Sequence, residues 1–112
     1  MTPAELEAAC RALPGVTMTV QWGDDHVYKV GGRMFAVTSP RAHLSMKVSD
    51  IAFEALVETG RARAAPYLAR AKWVYFADIA ELDVEEARDW LATAHTLVAA
   101  KLTRAQRAEI GL

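Results

Sequence analysis

The side chains best suited to chemistry in this 112-residue chain are lysines and arginines gathered into two segments that contain no acid. Residues 26–47 hold four of these cations and residues 61–73 hold four more, whereas residues 74–100 hold six acids and one arginine. Clustered cations can bind nucleic-acid phosphates even when the net charge, here −1, is close to neutral. The candidate phosphate-binding residues are Lys29, Arg33, Arg41, Lys47, Arg61, Arg63, Arg70 and Lys72.

Two aromatic residues, Tyr67 and Trp73, lie close in sequence to Arg70 and Lys72. An aromatic ring beside a cation can stack on a nucleobase or on a side chain of a protein partner. Trp73 therefore joins the nucleic-acid-binding candidates. The alternative for both rings is burial in the core, and the alternative for the cations is that they are the solvated positions of a sheet.

Other reactive side chains form no recognisable catalytic arrangement. Cys10 lies on the apolar face of a predicted helix and is interpreted as a buried structural thiol. The three histidines lack short metal-ligand spacing. The run Asp24, Asp25 and His26 is interpreted as a turn, with a small-ligand or metal pocket beside Trp22 as the alternative. We therefore expect no enzyme activity, no cofactor and no metal.

Composition sets the class of protein. An apolar content of 53% with 24% charged residues is typical of one folded domain, here residues 1–112. The single cysteine excludes a disulfide scaffold, and no apolar run approaches the ~18 residues of a membrane span. The first helix carries Glu5 and Glu7 and has no basic start, so we expect no signal peptide and a cytoplasmic location.

The clearest local signal is a hairpin over residues 26–38. Two strand-like runs flank Gly31 and Gly32, and paired glycines accept the positive φ angles of a tight turn. A two-residue turn places Tyr28 opposite Phe35 and leaves Lys29 on the other face. Alternation predicts one buried face shared by Tyr28, Val30, Phe35 and Val37.

Capping signals and apolar runs predict the other elements. Helices are expected to begin at Pro3, Asp50 and Val84, and further strands are expected over 16–21, 43–48 and 73–78. Residues 103–112 are expected to form a polar C-terminal tail. Glycine turns between strands favour antiparallel pairing, so the order of elements predicts an α+β fold with helices packed mainly on one face of a single sheet. The other face would be partly open.

Six short motifs then follow one another along the chain. They are Trp22-Gly23, VYKVGGRMFA (27–36), LSMKV (44–48), Pro66-Tyr67-Leu68, Lys72-Trp73-Val74 and LVAAKL (97–102). Their order resembles the MmcQ/YjbR family of small bacterial proteins over about residues 3–102. The resemblance implies a curved antiparallel sheet of the double-wing type, a DNA-binding role and no catalytic residues. The matching basic and aromatic positions are Lys29, Arg33, Lys47, Lys72 and Trp73.

Two further functions therefore stand beside the small-ligand alternative. The first is a protein that binds the backbone of double-stranded DNA with weak sequence specificity, since no recognition helix with base-reading residues is apparent. The second is a protein-interaction or adaptor module that uses the open sheet face and a groove near Tyr67 and Trp73. The first function requires cations that are distant in sequence to converge in space.

Overall fold

A six-stranded antiparallel sheet forms the centre of the computed structural model, which describes residues 1–39 and 43–112. Its strands lie side by side in the order β1-β2-β3-β4-β6-β5. They are β1 (Val16–Gln21), β2 (Asp25–Val30), β3 (Arg33–Thr38), β4 (Leu44–Lys47), β5 (Arg63–Ala64) and β6 (Trp73–Phe76). The helices in the same residues are α1 (Pro3–Arg11), α2 (Asp50–Glu58), α3 (Val84–Ala99) and α4 (Arg104–Glu109). The predicted α+β class is confirmed.

Side-chain caps fix where the helices begin. Thr2 and Glu5 form a capping box at the start of α1, and Ser49 and Asp83 accept backbone hydrogen bonds at the starts of α2 and α3, so these helices begin where predicted. The segment predicted as a polar tail contains the short helix α4. Thr103 and Gln106 form a second capping box there, which satisfies the free N–H groups of its first turn.

The main core lies between one face of the sheet and the helices. Leu44 and Met46 alternate into it from β4 and meet buried side chains such as Leu91 of α3. These side chains are 1% exposed or less. The core therefore holds α3 firmly against the centre of the sheet.

The β2–β3 hairpin departs from the predicted pairing. Tyr28 pairs with Ala36 and not with Phe35, because Phe35 is the extra residue of a β-bulge opposite the step from Tyr28 to Lys29. The bulge sends Phe35 and Ala36 into the main core together. Val37 consequently lies on the opposite face, so its predicted place beside Tyr28 is wrong.

The second face of the sheet carries a small core of its own. Residues 65–72 cover part of this face, where Ala65 packs with Val27, Val37 and Trp73. The N–H of Ala65 also donates to the carbonyl of Trp73 at 3.0 Å. The face that the sequence predicted to be partly open is thus closed where residues 65–72 pack on it.

The tip of the hairpin packs against the chain that follows α3. Gly31 has a φ of 58° and Gly32 a φ of 79°, the left-handed backbone that a two-glycine turn allows. A Cβ on Gly31 would lie 2.6 Å from a methyl carbon of Leu102. The close approach therefore brings the tip of the hairpin to the C-terminal end of α3.

Candidate functional site

A cleft lies at the end of the sheet where β3 begins, β4 ends and β6 begins, and α3 closes one of its sides. The sequence brings these ends together because the three strands are antiparallel and the hairpin tip contacts the chain after α3. The volume of the cleft is about 260 Å³. Its lining, which we call the basic cleft, consists of Arg33, Met34, Lys47, Ala71, Trp73, Val98 and Lys101.

Three of the residues that line the basic cleft are cations, and none is an acid. Arg33 and Lys101 are exposed, whereas Lys47 is half-buried. In residues 1–39 and 43–112, the ion pairs join other side chains and leave these three cations without a carboxylate partner. The cleft therefore concentrates positive charge that the surrounding protein does not neutralise.

Lys47 is held between the sheet and the segment that covers the second face. Its Nζ donates to the carbonyl oxygen of Ala71. Burial lowers the pKa of Lys47, and the positive charges of Lys101 and Lys72 lower it further, while the carboxylate of Asp50 opposes them. An anion in the cleft would relieve this repulsion between like charges.

The remaining wall of the cleft is largely apolar and includes Met34, Trp73 and Val98. Trp73 is 4% exposed because its ring packs into the core of the second face. It therefore contributes a rigid wall and does not offer an exposed ring face for stacking. Tyr67, the other aromatic residue singled out in the sequence, is fully exposed.

Three other candidate phosphate-binding residues lie next to the basic cleft but do not line it. Lys29 is the cross-strand partner of Met34, and Arg70 is exposed in the 3₁₀ turn that leads into the cleft. The ammonium of Lys72 lies 4.9 Å from the centre of the Phe53 ring on α2. Lys72 thus acts on the cleft through its charge more than by direct contact.

Two arginines of the second basic segment lie elsewhere. Arg61 forms an ion pair with Glu86 of α3, and its guanidinium lies 5.2 Å from the centre of the Trp90 ring. The guanidinium of Arg63 lies 4.8 Å from the centre of the Tyr75 ring. Neither arginine lines the basic cleft.

Sequence reasoning did not select Lys101, although Lys101 belongs to one of the motifs that carry the family resemblance. One signal could have found it, because residues 90–108 contain no acid. This run is a third basic segment, which also includes Arg104 and Arg107. Arg41 lies outside the described residues.

Acidic side chains gather at the opposite end of α3. Glu85, Glu86 and Asp89 all lie in its first half, while Val98 in its last turn lines the basic cleft. A helix of 16 residues is about 24 Å long, at a rise of about 1.5 Å per residue. The acids in the first half of α3 are therefore well separated from the basic cleft.

A second depression, of about 450 Å³, lies near the start of β2. Trp22, Asp24 and Asp25 line it together with His43, whose ring stacks on Tyr75. His26 does not line this depression, although the sequence grouped it with the two aspartates. Within the part of the chain that the structure describes, no three His, Cys, Asp or Glu side chains form a group suited to a metal ion.

Two potentially reactive side chains belong to the core. Cys10 is fully buried, and burial raises the pKa of its thiol to about 12. Nε2 of His95 lies 2.7 Å from the carbonyl oxygen of Pro14, and the His95 ring meets Phe35 edge to face with ring centres 5.6 Å apart. Both side chains are therefore buried parts of the packed structure, as predicted for Cys10.

The fold and the basic cleft define a small α+β domain, and comparison with known proteins identifies its family. The chain belongs to the YjbR family, whose model matches residues 11–97. Its structure is similar to the crystal structure of Deinococcus radiodurans protein DR2400, with family-model domain DUF419. The two are 29% identical with a TM-score of 0.85, over 99% of this chain and 88% of that chain. No curated protein matches this sequence.

These comparisons confirm the family and the fold that the sequence motifs predicted. A binding partner is therefore inferred from the charge and shape of the protein surface. Among the described residues, no helix combines the length and the apolar character that crossing a membrane requires.

Proposed function

We propose that this protein is a cytoplasmic, non-catalytic DNA-binding protein that contacts the phosphate backbone of double-stranded DNA through the basic cleft and the cations around it. The observation that carries the proposal is the convergence of Arg33, Lys47 and Lys101 on one cleft whose lining includes no acid. Each cation that neutralises a phosphate releases condensed counterions, which favours binding.

The basic surface extends beyond the cleft. Lys29 on β2 and Arg70 in the covering segment lie beside it, and α4 exposes Arg104 and Arg107 shortly after Lys101 in the sequence. These side chains are suited to phosphates, which have the same charge at every base pair. We therefore expect weak sequence specificity.

The helices support the same expectation. The exposed positions of α2 include Glu54 and Glu58, which would be repelled by a phosphate backbone. The main core fixes α3 against the sheet, and its exposed acids Glu85 and Asp89 lie at the end away from the cleft. Neither helix therefore resembles a recognition helix that could enter the major groove.

Salt dependence of duplex binding tests the proposal. The logarithm of the binding constant should fall linearly with the logarithm of salt concentration, measured by fluorescence anisotropy between about 50 and 200 mM salt. The double variant Arg33→Ala/Lys101→Ala should bind more weakly, and its slope should be shallower by about 1.8, since each lost phosphate contact removes roughly 0.9. Both side chains are exposed, so the fold should persist.

The matched control removes two cations that lie outside the cleft. Arg61→Ala/Arg63→Ala lowers the net charge by the same amount, but these side chains meet Glu86, Trp90 and Tyr75. We expect its salt slope to stay close to that of the unmodified protein. Absence of duplex binding at about 50 mM salt, or equal losses in the two double variants, would show that the proposal is wrong.

A protein-interaction role is the second candidate, and Tyr67 is the observation that favours it. Tyr67 is fully exposed and has a φ of 65°, a left-handed conformation that is uncommon for a residue other than glycine. Such strain is often found at functional sites. A protein partner that stays bound after nuclease treatment, and is lost with Tyr67→Ala but not with Arg33→Ala, would favour this role over DNA binding.

A further inference from the structure

We infer that the basic cleft is a site for a single phosphate monoester, such as the terminal phosphate of a DNA strand, in preference to the diesters along a duplex. This inference rests on the proposed function and deepens it. Along a duplex the cleft would meet a backbone phosphate, as proposed above, and at the end of a strand it would hold the terminal monoester more tightly.

Charge matching is the first argument. Arg33, Lys47 and Lys101 line one cleft, and its lining supplies no carboxylate to balance them. A backbone diester carries one negative charge, whereas a phosphate monoester carries about −1.5 to −2 near pH 7. Three cations that line one cleft therefore match a monoester better than they match a single diester.

The number of donors is the second argument. A phosphate monoester presents three terminal oxygens, and a diester presents two. The planar guanidinium of Arg33 can donate two parallel hydrogen bonds, while the ammonium groups of Lys47 and Lys101 act as point charges. The lining thus contains as many cationic donor groups as a monoester has terminal oxygens, although one donor of Lys47 is already used by the carbonyl of Ala71.

The size and the apolar wall of the cleft are the third argument. A volume of about 260 Å³ is smaller than the roughly 300–1,000 Å³ of sites for drug-sized ligands. It suits one phosphate and the carbon atoms attached to it. Met34 and Val98 offer an apolar surface against which those carbon atoms can pack.

The charged groups that face Lys47 come from several elements and support the same conclusion. Lys72 precedes β6, Lys101 follows α3, and Asp50 begins α2, while Arg33 on β3 lines the same cleft. Two of the three groups that act on the charge of Lys47 are cations, so a dianion would remove repulsion that the protein itself leaves in place.

One duplex prepared with 5′-phosphate ends and with 5′-hydroxyl ends tests the inference. We expect the phosphorylated duplex to bind about tenfold more tightly or better at fixed salt, which corresponds to about 1.4 kcal/mol. The preference should decline below about pH 6, where the monoester gains a proton, because a diester has no such titration. Equal affinity of the two duplexes would overturn the inference.

Variants of the protein show which residues cause the preference for the phosphorylated duplex. Arg33→Ala/Lys101→Ala should abolish the difference between the two duplexes. Arg70→Ala removes an exposed cation that does not line the cleft, so it should weaken both duplexes equally and keep the difference between them. A preference that survives Arg33→Ala/Lys101→Ala would contradict the assignment to the cleft.

Small ligands distinguish the terminal phosphate of a strand from a free monoester. A nucleoside monophosphate should compete with the phosphorylated duplex, and the matching nucleoside should not. Competition by inorganic phosphate at similar concentration would show that the phosphate group alone is recognised and would contradict the role given to the apolar wall. If neither duplex binds, the proposed function is wrong, and binding of the nucleoside monophosphate but not the nucleoside then decides the inference by itself.

Discussion

Gly31 and Leu102 are in direct contact, and the space between them has no room for a Cβ atom. A Cβ on Gly31 would lie 2.6 Å from Cδ1 of Leu102. This contact joins the tip of the β2–β3 hairpin to the chain just beyond α3. Arg33 and Lys101, each close in sequence to one of the two residues, consequently line the same cleft. The contact between Gly31 and the Leu102 side chain therefore helps to position the candidate site.

The contact predicts a large effect of Gly31→Ala. The substitution creates a steric clash and places alanine at a φ of 58°, so we expect a loss of about 2–4 kcal/mol in the free energy of unfolding. Urea denaturation measures the loss. Gly32→Ala is the matched control, because its φ of 79° imposes similar strain while its Cβ meets open space. The prediction is wrong if the two variants are equally destabilised.

The like charges around Lys47 predict that the stability of the protein depends on salt concentration. Since Lys101 and Lys72 repel its charge, added sodium chloride should screen this repulsion and stabilise the protein. The unfolding midpoint of Lys47→Met should rise less with salt than that of the unmodified protein, and the variant should bind DNA more weakly. Arg63→Met is a suitable control, because the Arg63 guanidinium packs over Tyr75 outside the cleft. Identical salt responses of all three proteins would argue against repulsion in the cleft.

Cys10 predicts a loss of stability at high pH. The folded protein raises the pKa of Cys10 from 9.0 to about 12 because burial disfavours the thiolate. The stabilisation is complete below pH 9, where the thiol is protonated in both states, and is lost as pH rises from 9 towards 12. The free energy of unfolding should therefore fall more steeply over this range in the unmodified protein than in Cys10→Ala.

Alkylation tests the burial of the Cys10 thiol independently. Iodoacetamide should react with Cys10 slowly in the folded protein and rapidly in urea, because the thiol is buried. Rapid alkylation without denaturant would show that the thiol is accessible and would contradict its structural role.

His95 predicts a structural defect that leaves the candidate site intact. Its side chain bridges to the carbonyl oxygen of Pro14 and packs against Phe35. His95→Ala leaves a cavity and removes the partner of that carbonyl, so we expect a loss of about 2–4 kcal/mol in unfolding free energy. His95→Gln keeps a donor and should lose less. At temperatures where the variants remain folded, DNA affinity should be unchanged.

Local signals in the sequence were sufficient for most of the fold. Caps such as Thr2, Ser49 and Asp83 act within one helical turn, and the Gly31-Gly32 turn is equally local, so each could be interpreted without knowledge of the rest of the chain. The β-bulge could not, because Phe35 and its neighbours are apolar on both sides and alternation does not reveal an extra residue.

The candidate site could be predicted only in part, because contacts between distant parts of the chain bring some of its residues together. Arg33 and Lys47 belong to one basic segment, and β3 and β4 bring them to the same end of the sheet. Lys101 reaches the cleft through tertiary packing of α3, so the acid-free run 90–108 marks it as basic but does not show that it meets Arg33 and Lys47. Arg61 forms an ion pair with Glu86, which lies 25 residues further along the chain. It therefore does not join the cations of the basic cleft.

The basic cleft and the acids of α3 lie at opposite ends of that helix, and this separation contributes an electric dipole along it. In the field of a polyanion such a dipole experiences a torque even though the net charge is only −1. The torque turns the cleft towards the polyanion and the N-terminal half of α3 away from it before the two molecules touch. In the proposed binding to DNA, orientation during approach would then contribute more than overall attraction.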